Sequence, residues 1–290
     1  MDLKHLTAEE LLRLAVPHED VNPLLAGAPR PGSETWRQVE SYAGQLVAGT
    51  GRPGSEITLP EEATAEHGPY FYAYVYLAAL PYTRAYHREH GVPDEVSWLT
   101  LTDLGRHLAV HRRKFGTAGL HAPWWHSLHH RGLLYSLGRL QFERAVMSKT
   151  TAEGVRAAGL PYGEGDPVLS VHIPDFMGPM SPEACDASYA WAREFFPAHF
   201  PDERHVLAVC YSWLLDRQLA EYLPAESNIV AFQRRFRELY HREDNGLIGF
   251  IYGRDLPPEE LPRRTALERA VADHLAAGRT WGYAAGFHEI

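Results

Sequence analysis

Cysteine is almost missing from this chain. There are two in 290 residues, Cys185 and Cys210, with neither the spacing of a metal-binding pair nor the number of a disulfide framework. No uninterrupted apolar run approaches the length of a membrane span, so no membrane partner is expected. Lysine and arginine form no long cluster and the net charge is −9 with histidine neutral, which argues against a nucleic-acid backbone as a partner. The chain begins without the pattern of a secretion signal: "LTAEELLRLAV" reads as an amphipathic helix with Thr7 and Glu10 as its capping box. No internal repeat stands out, and no G-x-S-x-G elbow surrounds a serine, which disfavours a serine hydrolase. These absences leave a cytoplasmic protein as the expectation.

What is present divides the chain into two textures. Hydrophobic residues make up 45%, enough for one large or two ordinary cores. Residues 1 to 130 read as an all-helical domain. "ETWRQVESYAGQLVAG" and "PYFYAYVYLAALPYTRAYHREHG" flank the breaker-rich "TGRPGSEITLP". In "SWLTLTDLGRHLAVHRRKFG", Trp98, Leu101, Leu104, Leu108 and Phe115 recur at helical spacing before a stop at Gly116. Residues 131 to 290 read as alternating strands and helices. "GLLYSLGRLQFERAVM" is a bent strand or strand pair about Gly138, and "TTAEGVRAAGLPYGEGDP" a loop. Further strands are expected at "VLSVHI", "HVLAVCYSWLL" and "GLIGFIYG", with a short edge strand in "RTWGYAAGFHEI". Helices are expected over "SPEACDASYAWAREFFPAHF", "SNIVAFQRRFRELY" and "PPEELPRRTALERAVADHLAAG", the first ending near Pro197 and burying Ala184, Ala187, Trp191 and Phe195. The order describes a sheet with covering helices.

Ligands of such sheets gather at strand ends beside helix N-termini. "VLSVHIPDFMGPMSPEAC" has that layout: His172 at the exit of a strand, a loop with Gly178, and Ser181-Pro182-Glu183 opening a helix. The helix start could hold an anion, or Ser181 could be only a good cap. His172 has an imidazole that titrates in the range a base needs, or it bridges backbone groups. In "CYSWLLD", Cys210 and Ser212 share one strand face and Tyr211 and Trp213 the other. Ser212 or Tyr211 could help a thiolate depart, and Cys210 reads as a small core hydrophobe. Asn228 could bind a ligand amide or merely cap a helix, and Glu143 is a candidate for acceptor binding or base work. Histidine is abundant, and His107/His111 and His126/His130 sit at i, i+4. With no H-E-x-x-H and no cysteine pair beside them, they read as surface or interdomain residues, and no metal is expected.

"VLSVHIPDFMGPMSPEACDASYAWAREFFPAHFP" and "CYSWLLDRQLAEYLPAESNIVAFQRRF" resemble the GNAT-like C-terminal domain of a mainly actinobacterial family of acyltransferases, in which it follows a helical N-acyltransferase N-terminal domain. The resemblance implies an α+β chain: an all-helical domain over 1–130, then a GNAT-type mixed sheet with covering helices over 131–290. "VLSVHI" would be its fourth strand and "HVLAVCYSWLL" its fifth, splayed apart to admit a pantetheine thioester. Asn228 with Ala231 is similar to a pair that GNAT enzymes often carry. It also implies an N-acyltransferase moving an acyl group from acyl-CoA, or from the phosphopantetheine arm of an acyl-carrier protein, to an amine by direct attack. No tightly bound cofactor is expected. The alternative is a noncatalytic acyl-thioester or peptide-binding module on the same scaffold. The usual pyrophosphate signature is not present after the fourth strand, where "DFMGPMSPEA" supplies one glycine, and this favours a carrier arm or the noncatalytic module. On this reading His172, Ser212 and Tyr211 serve the chemistry. Ile173, Gly178, Met180, Ser181 and Asn228 hold the donor, and Glu143 and Trp213 face the acceptor.

Overall fold

The computed structural model describes residues 1–4, 6–55, 57–60, 62–244, 246–252 and 256–290. Glu56, within the breaker-rich stretch, and Gly253, the end of the strand expected at "GLIGFIYG", lie outside them. The chain divides into two compact units, Met1–Ser136 and Leu137–Ile290.

The first unit is helical. Its longest element, Phe71–Glu89, buries side chains on every face, as a helix does at the centre of a bundle. The tyrosine-rich stretch that forms it is therefore core, and its hydroxyls find acceptors: Tyr70 at Asp20, Tyr72 at the Pro60 carbonyl, Tyr74 at the Leu24 carbonyl (2.9 Å). The helix Glu34–Ala48 forms as expected, capped by Ser33. "SWLTLTDLGRHLAVHRRKF" does not form one helix. It breaks at Thr102 into Asp94–Leu101 and Asp103–Phe115, and the Thr102 hydroxyl turns back to the Leu99 carbonyl at 2.6 Å. Thr7 caps the first helix, Ala8–Arg13, by accepting the Glu10 N–H.

The second unit is built on a mixed sheet of six strands: β1 (Leu134–Leu137), β2 (Leu140–Val146), β3 (Pro167–His172), β4 (Leu207–Ser212), β5 (Arg237–Glu243) and β6 (Gly282–Glu289), in the order β1-β2-β3-β4-β6-β5. The boundary between the units falls inside β1. Gly138, at φ +77°, makes the tight turn between β1 and β2. β3 and β4 are parallel, joined by the helix Pro182–His199; β2–β3, β4–β6 and β5–β6 are antiparallel. "VLSVHI" and "HVLAVCYSWLL" are thus the third and fourth strands of this sheet rather than the fourth and fifth.

Several local expectations fail for identifiable reasons. "TTAEGVRAAG" is a helix, Lys149–Ala157, capped by Ser148; its glycines masked the pattern. The helix over "SNIVAFQRRFRELY" stops at Gln233, and the chain re-enters the sheet as β5, whose charged residues suit an edge strand. "GLIGFIYG" holds a helix, Leu247–Tyr252, because so short an apolar run carries no decisive period. β6 is not a short edge strand but eight residues between β4 and β5, built from small residues that give little hydrophobic signal. The helix Pro182–His199 runs through Pro197, and it buries Cys185, Ser188, Tyr189 and Ala192 with Phe195, leaving Trp191 and Ala187 exposed.

Candidate active site

β3 and β4 diverge. Their paired register covers only Leu169–Ala208 and Ser170–Val209, although β3 runs on to His172 and β4 to Ser212. The strands open at their carboxyl ends, where a parallel sheet presents its ligand sites. Strand alternation decides what faces that opening. His172 lies opposite Gln141 and Ser170 opposite Glu143 across the β2–β3 ladder, so His172 and Glu143 are diagonal neighbours on one face. Val209 pairs with Ser170, which brings Tyr211, two residues on, to the same face.

The resulting contacts are close. His172 Nε2 and Glu143 Oε2 are 2.8 Å apart, both side chains about one-fifth to one-quarter exposed (24% and 19%). A carboxylate only accepts, so Nε2 carries a proton and donates it to Glu143. The Tyr211 hydroxyl is 2.6 Å from Thr151 Oγ1, itself 2.9 Å from Ser148 Oγ. Burial raises the Tyr211 pKa, and the hydrogen bonds from Thr151 and Ser148 offset part of that rise. Sequence reasoning missed Thr151. The helix that positions it was hidden in a turn-rich stretch.

Other expected residues fall elsewhere. Ser212 alternates to the opposite face from His172, and its Oγ accepts the Leu214 N–H at 3.1 Å, capping a short 3₁₀ turn, Trp213–Leu215. Trp213 opens that turn and packs against the cluster around Leu219 and Trp281. Cys210 is fully buried, its thiol pushed up to about 12 by burial, and is a core hydrophobe. Asn228 is the first residue of the helix Asn228–Gln233, which Ser227 caps by accepting the Val230 N–H.

The loop after β3 carries the expected donor residues. Ile173 follows the last strand residue and is half-buried, Gly178 takes a left-handed φ of +77°, and Met180 is buried. Ser181 caps Pro182–His199 by accepting the Ala184 N–H at 3.2 Å. Arg139 was not foreseen. Its backbone N–H docks on Ser188 Oγ at 2.8 Å, and burial lowers the pKa of its guanidinium, with Cys185 and Asp175 close enough to oppose the shift. Its Nε and Nη1 are buried without a hydrogen-bond partner. Only its place after a turn glycine could have marked it.

The histidine runs are not at the surface. His126, His129 and His130 are buried within the helical unit, and His107 is partly covered. Among the described residues, no helix is long and apolar enough to cross a membrane.

The chain is similar to known proteins in both units. The family model of the GNAT-like C-terminal domain matches residues 134–288, and that of the N-acyltransferase N-terminal domain matches residues 5–132. The crystal structure of an acyltransferase in complex with decanoyl-CoA superposes with a TM-score of 0.85 at 39% identity, covering 98% of this chain and 87% of that one. Two others, of an acyltransferase with decanoyl-CoA and teicoplanin and of one with CoA and 10C-teicoplanin, each superpose at 0.85 with 38% identity, covering 97% of this chain and 86% of theirs. No curated protein matches the chain.

Proposed function

The chain belongs to the acyltransferase family defined by the GNAT-like C-terminal domain, and we infer that it moves a medium-length acyl group from coenzyme A to an amine of a small-molecule acceptor. It is an acyltransferase of the GNAT type, and its donor is a thioester. The observation that carries the finer reading is the His172–Glu143 pair at the mouth of the opening between β3 and β4.

Glu143 holds the imidazole by Nε2, so Nδ1 takes the proton that an ammonium must lose before attack. The neutral amine nitrogen bonds to the thioester carbonyl carbon, and the carbon–sulfur bond breaks. Backbone N–H groups at the divergence of β3 and β4 polarise the carbonyl; Tyr211 supplies a proton to the departing thiolate and regains one from the nitrogen as it becomes an amide. The loop Ile173–Ser181 and the N-terminus of the helix after it hold the donor phosphates, with Arg139 beside them. Asn228 lies at the following helix start. Glu143 borders the acceptor.

The neighbours bound to teicoplanin support a bulky glycopeptide of that type as the acceptor. The neighbours bound to CoA support CoA over a carrier protein and, since acyl-CoA is intracellular, a cytoplasmic site of action. An acyl-carrier protein presents the same thioester, and comparing kcat/KM for decanoyl-CoA and a decanoyl carrier protein decides between them.

The test mixes the protein with decanoyl-CoA and teicoplanin. Mass spectrometry should show an acceptor heavier by one decanoyl group, with one free CoA thiol released per product. His172→Ala should lose product formation and keep donor binding. Donor binding without transfer to any amine would instead favour a noncatalytic thioester-binding module.

A further inference from the structure

Away from the sheet, the helical unit gathers a set of metal-type donors around one buried carboxylate. Asp103 opens the helix Asp103–Phe115, with His107 one turn later on the same face. The short helix His126–His130 contributes His126 and His129. From Asp103 Oδ2, His107 Nε2 is 3.5 Å away, His129 Nε2 3.4 Å and His126 Nδ1 3.9 Å. The donor atoms of Asp103, His107 and His126 all lie within 4.8 Å of one another. Ligands about 2.0–2.1 Å from a tetrahedral zinc are separated from each other by about 3.3 Å. For His107 and His126 the separations from Oδ2 exceed that by about 0.2 and about 0.6 Å, within the reach of side-chain adjustment.

The groups behind these donors are equally particular. His107 Nδ1 lies 3.0 Å from the His121 carbonyl, and His129 Nδ1 lies 3.4 Å from the Trp125 carbonyl. A carbonyl only accepts, so each ring carries a proton on Nδ1 and presents Nε2 to Asp103. Holding the ring by its other N–H is how proteins orient a histidine ligand. The carboxylate is fixed in turn by Trp125 Nε1 at 3.0 Å and Arg106 Nη1 at 2.9 Å. Neither nitrogen of His126 makes a well-aligned hydrogen bond, although the side chain is wholly buried and the His121 backbone lies near. Lone pairs of neutral imidazoles aimed at a carboxylate oxygen would repel it. Protonating the rings would crowd cations into a buried space, whereas one divalent ion satisfies Asp103, His107 and His126 together.

We propose that Asp103, His107 and His126 form a zinc site in the helical unit. Two imidazoles and one carboxylate are a borderline donor set suited to Zn²⁺. Three protein ligands fasten the helix Asp103–Phe115 to the short helix His126–His130 and leave the fourth position of a tetrahedral ion to water. The proposal is independent of the acyl-transfer reading.

The full chain, produced without a histidine tag, should carry about one zinc per molecule by mass spectrometric metal analysis. Asp103→Asn and His126→Ala should each lower that content roughly tenfold or more. His111→Ala, on the same helix but held by the Thr117 carbonyl, should leave it unchanged. Because a variant can fail to fold, the native sequence is also tested: a strong chelator should lower its unfolding temperature, and zinc but not magnesium should restore it. Substoichiometric zinc with an unfolding temperature indifferent to chelator and zinc would overturn the site, leaving a neutral histidine cluster. Stoichiometric loading with another metal would overturn its identity as zinc.

Discussion

The two units use their polar residues differently. In the helical unit, charged and hydrogen-bonding side chains are buried among aromatic rings and many pair internally: Asp20 with Tyr70 and Arg112, His87 Nδ1 with Ser97 Oγ at 2.6 Å. Burial lowers the His87 pKa to about 3, keeping it neutral. In the sheet unit, His172, Glu143 and Tyr211 stand partly exposed where two strands part. A buried satisfied group stabilises a fold, while a half-exposed group at a strand end can meet a substrate. Polar substitutions should therefore damage stability in the first unit and turnover in the second, with a few instructive exceptions.

The largest effect is expected at His172. His172→Ala should lower kcat by roughly 10²–10⁴, the range of general-base contributions, with an unfolding midpoint close to that of the parent. Equal loss of activity and stability would break the comparison. In the helical unit, Gly105→Ala should cost about 3 kcal/mol by overpacking, read by denaturant unfolding. An added Cβ would meet the backbone at Leu14–Val16 at 2.2–2.3 Å, and backbone cannot swing aside.

Glu203 is the exception inside the sheet unit. Burial would raise its carboxyl, but hydrogen bonds from Arg144 and His205 hold it down to about 2, and Arg144 also stacks 3.8 Å over Phe200. The native pKa lies below the ordinary 4.5. The stabilisation is therefore complete above about pH 4.5 and fades as pH falls towards 2. Glu203→Gln should cost about 3 kcal/mol at neutral pH, with the difference from the parent shrinking through that acid window in unfolding titrations. Tyr211→Phe should lower kcat by about three- to tenfold, the scale of one hydrogen bond, with little change in KM. The smallest effect belongs to Cys210, which should resist iodoacetamide in the native protein and react only on unfolding.

Much of the architecture was legible because it rests on local rules. The helical texture of the first unit, the Thr7 and Ser181 caps, the turn at Gly138 and the β3-loop-helix segment follow from periodicity and capping chemistry. His172 could be singled out because a histidine closing an apolar strand departs from its surroundings. Glu143 was a candidate as well, but its pairing with His172 was not legible, since it lies 29 residues earlier and meets it only through the β2–β3 register. The small residues of β6 and the charged residues of β5 also concealed their strands, because sheet position and not propensity decides whether such segments pair.

The histidines mark the same limit. Their i, i+4 spacing was visible, but it suggested His107 with His111 and His126 with His130. The fold brings together Asp103, His107, His126 and His129, taking one neighbour from the preceding turn and another three residues on. The sequence by itself determined which segments are amphipathic, where helices begin and which side chains can carry chemistry, since these depend on neighbours along the chain. Only the tertiary structure decided the strand order, the parting of β3 from β4 and the partners of each histidine. Those contacts join residues far apart in sequence, and a shift of one residue in register would turn each side chain to the other face.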